Sequence, residues 1–132
     1  LEMNAVETAI DLTPEDIKKL REILDRSDEA MDSNNKAEVV VLNKNFHFAI
    51  YSHSKSPWRL RLIETLWSHA ERYQRLSLNY RNDPADKEHH DIVDALAEHD
   101  NHGAAKAMGF HLKTTVELLN ESLKKSNISE VV

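Results

Sequence analysis

The stretch Glu88-His89-His90-Asp91-Ile92-Val93-Asp94-Ala95-Leu96-Ala97-Glu98-His99-Asp100-Asn101-His102-Gly103-Ala104-Ala105-Lys106-Ala107-Met108-Gly109-Phe110-His111-Leu112 reads as two helices meeting at a turn near Asp100. Before the turn, Ile92, Val93, Leu96 and Ala97 recur at helical spacing. After it, Ala104, Ala107, Met108 and Leu112 do the same, and the stripe runs on through Val116, Leu119 and Leu123. Asp100-Asn101 supplies the side-chain acceptors that open a helix. His89 lies 100 − 89 = 11 residues before the turn and His111 lies 111 − 100 = 11 residues after it. Equal rise along two antiparallel helices brings them level, each roughly 16 Å from the turn at 1.5 Å per residue. Ile92 is three past His89 and Met108 three before His111, so both imidazoles can face the interior at one height.

Working outward, the rest of the chain is helical too. Each of the three prolines follows a good N-cap, and proline is favoured at the first helical position. Thr13-Pro14, Ser56-Pro57 and Asp83-Pro84 therefore predict three helix starts, and the Asp32-Ser33-Asn34-Asn35 cluster predicts another before Lys36. The stripes are Ile17, Leu20, Ile23 and Leu24; then Val40, Val41, Phe46, Ala49 and Ile50; then Leu60, Ile63, Leu66, Trp67 and Ala70. Leu1 to Ile10 also reads as helix, without a cap and entered mid-pattern, which predicts a piece of something longer. Residues Leu78 to Asp83 read as a loop, and the tail after Lys125 as frayed. The expected fold is all-α: an antiparallel bundle of about six helices, five full and one remnant.

Composition agrees. The chain has 132 residues, two glycines and three prolines, too little punctuation for a many-stranded sheet. It has no cysteine, which removes disulfides and thiolate chemistry. The net charge of −6 makes the chain a poor binder of a phosphate backbone. No apolar run approaches a membrane span, and Glu2 directly after Leu1 breaks any signal-peptide pattern, so a cytoplasmic location is expected.

Eight histidines are the oddity. Asn43 and His47 are four apart, on one helix face beside the core-facing Phe46 and Ile50. A third helix carrying His47 to the height of His89 and His111 would complete a three-imidazole cluster, which suits a divalent transition metal. Spacing alone leaves the ordinary alternative open, that these are hydrogen-bonded core histidines. His53, His90, His99 and His102 read as loop or surface residues.

At these same residues a resemblance emerges. Asn43-Lys44-Asn45-Phe46-His47-Phe48-Ala49-Ile50 resembles the D/N-x-x-F-H-x-x-L signature of the FadR-type C-terminal (FCD) domains of GntR-family bacterial transcription regulators. Glu88 to Leu96 is similar to that family's E-H-x-x-I-x-x-A-L, Ala107 to Leu112 to its M-x-x-H-L, and Pro57 to Trp67 to its N-P-x-L-x-x-x-I-x-x-L helix. The match runs in order from about Leu1 to Leu123. The resemblance implies a helical effector-binding and dimerisation domain with a central cavity over residues 1–132, with a winged helix-turn-helix DNA-binding domain upstream of residue 1. It implies a divalent metal, zinc foremost and nickel or manganese next, held by His47, His89 and His111. Asn43 stands where many members have aspartate, which leaves the site more cationic. It further implies a small organic acid at the metal, a homodimer, and DNA contact only through the other domain.

A buried dication calls for an anion, which agrees with an organic acid. Arg72 and His69, three apart on the Pro57 helix, are placed to reach the anion's far end, with Arg72 giving bidentate recognition; a surface arginine paired with Glu71 or Glu64 is the alternative. Two other functions compete. One is a metal-free helical dimerisation or interaction module. The other is a metal-dependent hydrolase, which needs a general base. There is no HExxH pair, and Glu88 points some 100° away from His89 on its helix, so an enzyme is not expected.

Overall fold

The computed structural model describes the backbone of residues 1–77 and 82–131 and the side chains of residues 1–71, 86–121 and 124. Among these the order is α1 (Glu2–Glu7), α2 (Pro14–Asp32), α3 (Lys36–Tyr51), α4 (Pro57–Ser77), α5 (Asn82–Ala97) and α6 (Asn101–Val131), with no strand. The all-α antiparallel bundle expected from the sequence is the fold.

The starts follow from local chemistry. Thr13 Oγ1 accepts from the Asp16 N–H at 3.1 Å while the Asp16 carboxylate accepts from the Thr13 N–H at 2.9 Å, a reciprocal capping box ahead of Pro14. Asn35 caps α3 through the Glu38 N–H, and the turn before it closes on Asn34 at φ 56°, a conformation asparagine tolerates better than most residues. The Ser56 hydroxyl accepts from the Arg59 N–H at the start of α4. Asp100 caps α6 by accepting from the Gly103 N–H at 2.9 Å. A Cβ at Gly103 would run into that carboxylate, so cap and glycine belong together.

Several boundaries differ from expectation. Helix α1 is shorter than residues 1–10, because Thr8 turns its hydroxyl back onto the Asn4 carbonyl at the helix end. Helix α5 begins at Asn82, two residues before Pro84, so proline occupies its first turn, where a missing N–H costs nothing. Of the predicted loop at residues 78–83, positions 78–81 lie outside the described residues. Helix α6 continues to Val131, past the predicted fraying at Lys125.

Helices α5 and α6 form a hairpin, as do α2 and α3, and α2 packs on α5. Helix α1 lies on α6, fastened by Asn101, whose side-chain amide donates to the Val6 and Ala9 carbonyls at 3.0 and 2.8 Å. Gly109 makes that approach close: a Cβ there would stand 2.7 Å from Met3 Sδ. Helix α4 packs more lightly, against α6, α3 and α1. The core gathers Leu20 and Leu24, Phe46, Ile50 and Tyr51, Ile63 and Trp67, Ile92, Val93 and Leu96, and Ala104 and Met108. Among the described residues, stripe members Val41, Leu66 and Val116 depart from the pattern and are more than half exposed, and Ala97 is exposed as well.

Candidate metal centre and adjoining cavity

Three helices each contribute one histidine to the interior. His47 comes from the C-terminal third of α3, His89 from the middle of α5 and His111 from α6. One ring nitrogen from each lies within 4.8 Å of the others. The hairpin reasoning is borne out directly: His89 Nε2 and His111 Nε2 are 3.1 Å apart. The His47 ring stands 5.4 Å from each of the other two, centroid to centroid.

Two of the imidazoles are oriented by groups on their outer edge. Tyr51, one turn after His47, donates its hydroxyl proton to Glu2 Oε1 at 2.9 Å. Its oxygen then accepts from His47 Nδ1 at 3.0 Å. That bond puts the proton on Nδ1 and leaves His47 Nε2 with a free lone pair. Glu88 Oε1 sits 2.9 Å from His111 Nδ1, with both side chains nearly closed off from solvent. An ionised carboxylate only accepts, so beside it His111 Nδ1 carries the proton and its Nε2 is the accepting nitrogen in the 3.1 Å contact with His89 Nε2. Imidazoles whose far N–H is held by a carboxylate or hydroxyl are the arrangement that metal-binding histidines adopt.

Electrostatics point the same way. Burial, and secondarily the neighbouring His111, hold His47 well below the usual histidine range, so it is neutral, the form that binds a metal. Burial raises the Glu2 carboxyl above its ordinary value, partly offset by the bond from Tyr51, and pushes the Tyr51 phenol well up. The donor set present, three imidazoles of which two have outer-edge partners, fits a divalent transition metal.

Asn43 lies one turn before His47 on α3 and is half-buried; among the described residues its side chain makes no hydrogen bond. His69 is exposed on α4, outside the trio and outside the lining of the adjoining cavity. The side chain of Arg72 lies outside the described residues.

Three features escaped the sequence reading. Tyr51 stands at the readable i+4 spacing from His47, whereas Glu2 is 49 residues away and carried no signal. Glu88 does point away from His89, and that direction is where α6 presents His111. A second group, Asp28, Asp86 and His90, half-buried, joins α2 to α5, although His90 had been read as a surface residue. There Asp28 is raised to about 6, first by burial and then by the hydrogen bond and like charge of Asp86.

Beside the histidines lies a cavity of about 350 Å³ between α1, α4 and α6. Its walls are apolar, among them Ile63, Trp67, Leu112, Val116 and Leu119. Trp67 belongs also to the histidine cluster, its ring 5.0 Å from that of His47, and Leu112 follows His111 in the chain. The Trp67 indole N–H is buried without a hydrogen-bond partner among the described residues.

The family model for the FCD domain matches residues 1–114 of this helical bundle, the buried trio of histidines included. The chain belongs to the FCD family, whose members are domains of transcription regulators and not enzymes. Over 68 residues it is 35% identical to the HTH-type transcriptional regulator McbR of Escherichia coli K12, covering 51% of this chain and 31% of that protein. It also superposes on a solved structure of E. coli McbR/YncC with a TM-score of 0.83 at 24% identity, over 92% of this chain and 60% of that one. The chain thus spans about a third of the curated relative's length. Among the described residues no helix is long and apolar enough to cross a membrane.

Proposed function

We propose that this domain senses a small organic acid at a divalent transition metal held by His47, His89 and His111. Binding there would control a DNA-binding half outside these residues. The observation that carries the reading is the convergence of three buried imidazoles, two of them oriented at Nδ1 by Tyr51 and Glu88. Zinc suits this nitrogen set best, with nickel or manganese as substitutes. When bound, the metal supplies a positive centre that an acid's carboxylate can join. Asn43 is the proposed fourth protein ligand through its amide oxygen, and His69 with Arg72 the proposed contacts at the anion's far end.

The reading extends to the whole regulator by analogy with McbR, whose name describes an HTH-type transcriptional regulator. Residues 1–132 are the effector-binding and dimerisation domain, and a winged helix-turn-helix of a cytoplasmic homodimer reads the DNA. Ligand bridging several helices would stiffen the bundle and shift the population of DNA-competent arrangements. Metal analysis of protein purified from cells, with His89→Ala and His111→Ala beside it, tests the centre. One metal per chain in the parent and none in either variant is expected. A metal-free parent returns the domain to a metal-free interaction module, and metal retained in both variants places the site elsewhere. A hydrolase is not supported: the Glu88 carboxylate, in contact with the cluster, is engaged on the outer nitrogen of His111.

A further inference from the structure

Helix α1 is held at its two ends by different contacts. Toward its C-terminus the Asn101 amide donates to the Val6 and Ala9 carbonyls, and the Ser54 and Thr8 hydroxyls meet at 3.3 Å. Ala5, Val6 and Ala9 are buried beside them. Asn101 opens α6 ten residues before His111, so this end is anchored about 15 Å along that helix from the histidines.

The first turn is tied in another way. Glu2 Oε1 accepts the Tyr51 hydroxyl proton at 2.9 Å, and the same hydroxyl oxygen accepts from His47 Nδ1 at 3.0 Å. Tyr51 is fully buried, with its oxygen 3.6 Å from Met108 Sδ, so the hydroxyl is shielded from water. Glu2, Tyr51 and His47 therefore form one continuous chain of hydrogen bonds that begins on α1 and ends in the histidine trio.

Such a chain transmits in both directions. A metal on His47 Nε2 draws electron density from the ring, which makes the Nδ1–H a stronger donor to Tyr51. A hydroxyl that accepts more strongly also donates more strongly, so the bond to Glu2 tightens in turn. In reverse, Glu2 drawing on the Tyr51 proton makes the phenol oxygen a better acceptor, and His47 Nε2 becomes more basic toward a metal. Both are one coupling free energy. The factor by which a seated α1 raises metal affinity is the factor by which metal favours the seated α1.

We propose that Tyr51 and Glu2 are positioning residues of the metal centre, and that through them metal occupancy tightens the first turn of α1 onto the bundle. This rests on the metal-centre reading above and adds its regulation. Asn101 holds the far end of α1 with or without metal, so loss of metal loosens the helix from its first turn. In that reading the DNA-binding half precedes residue 1, and α1 is the element through which occupancy of the centre is passed to it.

The test joins zinc titration by chelator competition to amide hydrogen exchange, on the parent, Tyr51→Phe, Glu2→Ala and the double variant. Tyr51→Phe keeps the ring and removes the bridge. Each single variant is expected to bind zinc about five- to tenfold more weakly, the size of one neutral hydrogen bond. The double variant should bind about as well as the weaker single, because either change breaks the same chain. The Ala5 amide, bonded to the Leu1 carbonyl at 3.0 Å, reports local opening of the first turn. Zinc is expected to slow its exchange in the parent by the same factor, about five- to tenfold, and to leave it unchanged in Tyr51→Phe. A merely structural Tyr51 would alter exchange alike with and without zinc. Parental zinc affinity in both single variants, losses that add in full in the double variant, or zinc protection of Ala5 that is absent in the parent or persists in Tyr51→Phe overturns the coupling and leaves the metal centre intact. A parent that binds no zinc overturns both.

Discussion

Glu88 offers the sharpest test of how the centre is built. Its Oε1 is 2.9 Å from His111 Nδ1, and the two side chains are 11% and 7% exposed, so water does not compete for the bond. The carboxylate fixes Nδ1 as the protonated nitrogen of His111, and its charge would make Nε2 a stronger donor to a metal. In Glu88→Gln the amide oxygen can still accept from Nδ1, but the charge is gone. A charge-assisted hydrogen bond contributes about 1.5–3 kcal/mol against about 0.5–1.5 for a neutral one. The difference, roughly 1–1.5 kcal/mol, corresponds to about a tenfold weaker zinc affinity. In Glu88→Ala the orienting bond is lost altogether, and the loss should approach a hundredfold.

Zinc affinity is read by competition with a chromogenic chelator, and stability of the metal-free protein by urea denaturation. The two readouts separate positioning from packing. Glu88→Gln should cost metal affinity with little loss of metal-free stability, since the bond persists. Glu88→Ala should also destabilise the metal-free fold by about 1–3 kcal/mol, because a buried N–H is orphaned. Parental zinc affinity in Glu88→Gln, with Glu88→Ala losing stability alone, would refute the orienting role and reduce Glu88 to a buried hydrogen-bond partner.

Three further outcomes are expected. Asn43→Asp should tighten zinc at least tenfold, because a carboxylate attracts a dication more than an amide does; unchanged affinity in the same chelator assay removes Asn43 from the ligand set. Asp28 holds a proton in the native state up to about pH 6 that the unfolded chain releases near 3.8, so its contribution to stability falls as pH rises through that window. Asp28→Asn should therefore raise the melting temperature at pH 7.5 and leave it nearly unchanged below pH 4; a loss of stability at pH 7.5 contradicts the assignment. Trp58 and Leu62, exposed one turn apart on α4, form an apolar patch that the proposed homodimer would cover. Leu62→Glu removes an apolar contact from both copies of a two-fold interface and should weaken association about a hundredfold or more, read as concentration-dependent mass in light scattering.

How much was legible in the sequence follows from which relations are one-dimensional. The level of His89 and His111 depends on the turn's position and a fixed rise per residue, and Asp100 marks the turn by its capping chemistry, so their 3.1 Å approach could be read from spacing. The core faces of α2 and α5 were likewise legible, Leu20 and Leu24 on the one and Ile92, Val93 and Leu96 on the other being buried as their spacing predicts. Helix α4 was not, since it rests lightly on three neighbours and its stripe member Leu66 is left 54% exposed. What escaped entirely was the set of groups that work across helices. Glu2 reaches Tyr51 over 49 positions because Asn101 and Gly109 seat α1 on α6, and neither residue announces that role in the chain. Glu88 shows why a correct local statement can miss. Its direction on α5 was right, and its meaning depended on α6 standing in that direction with His111 turned toward it. Ligand positions recur on helix faces and can be read from spacing, whereas the partners that fix ligand tautomers come from whichever helix packs behind. The outer partners of this centre are therefore the part that only the packing of the bundle could reveal.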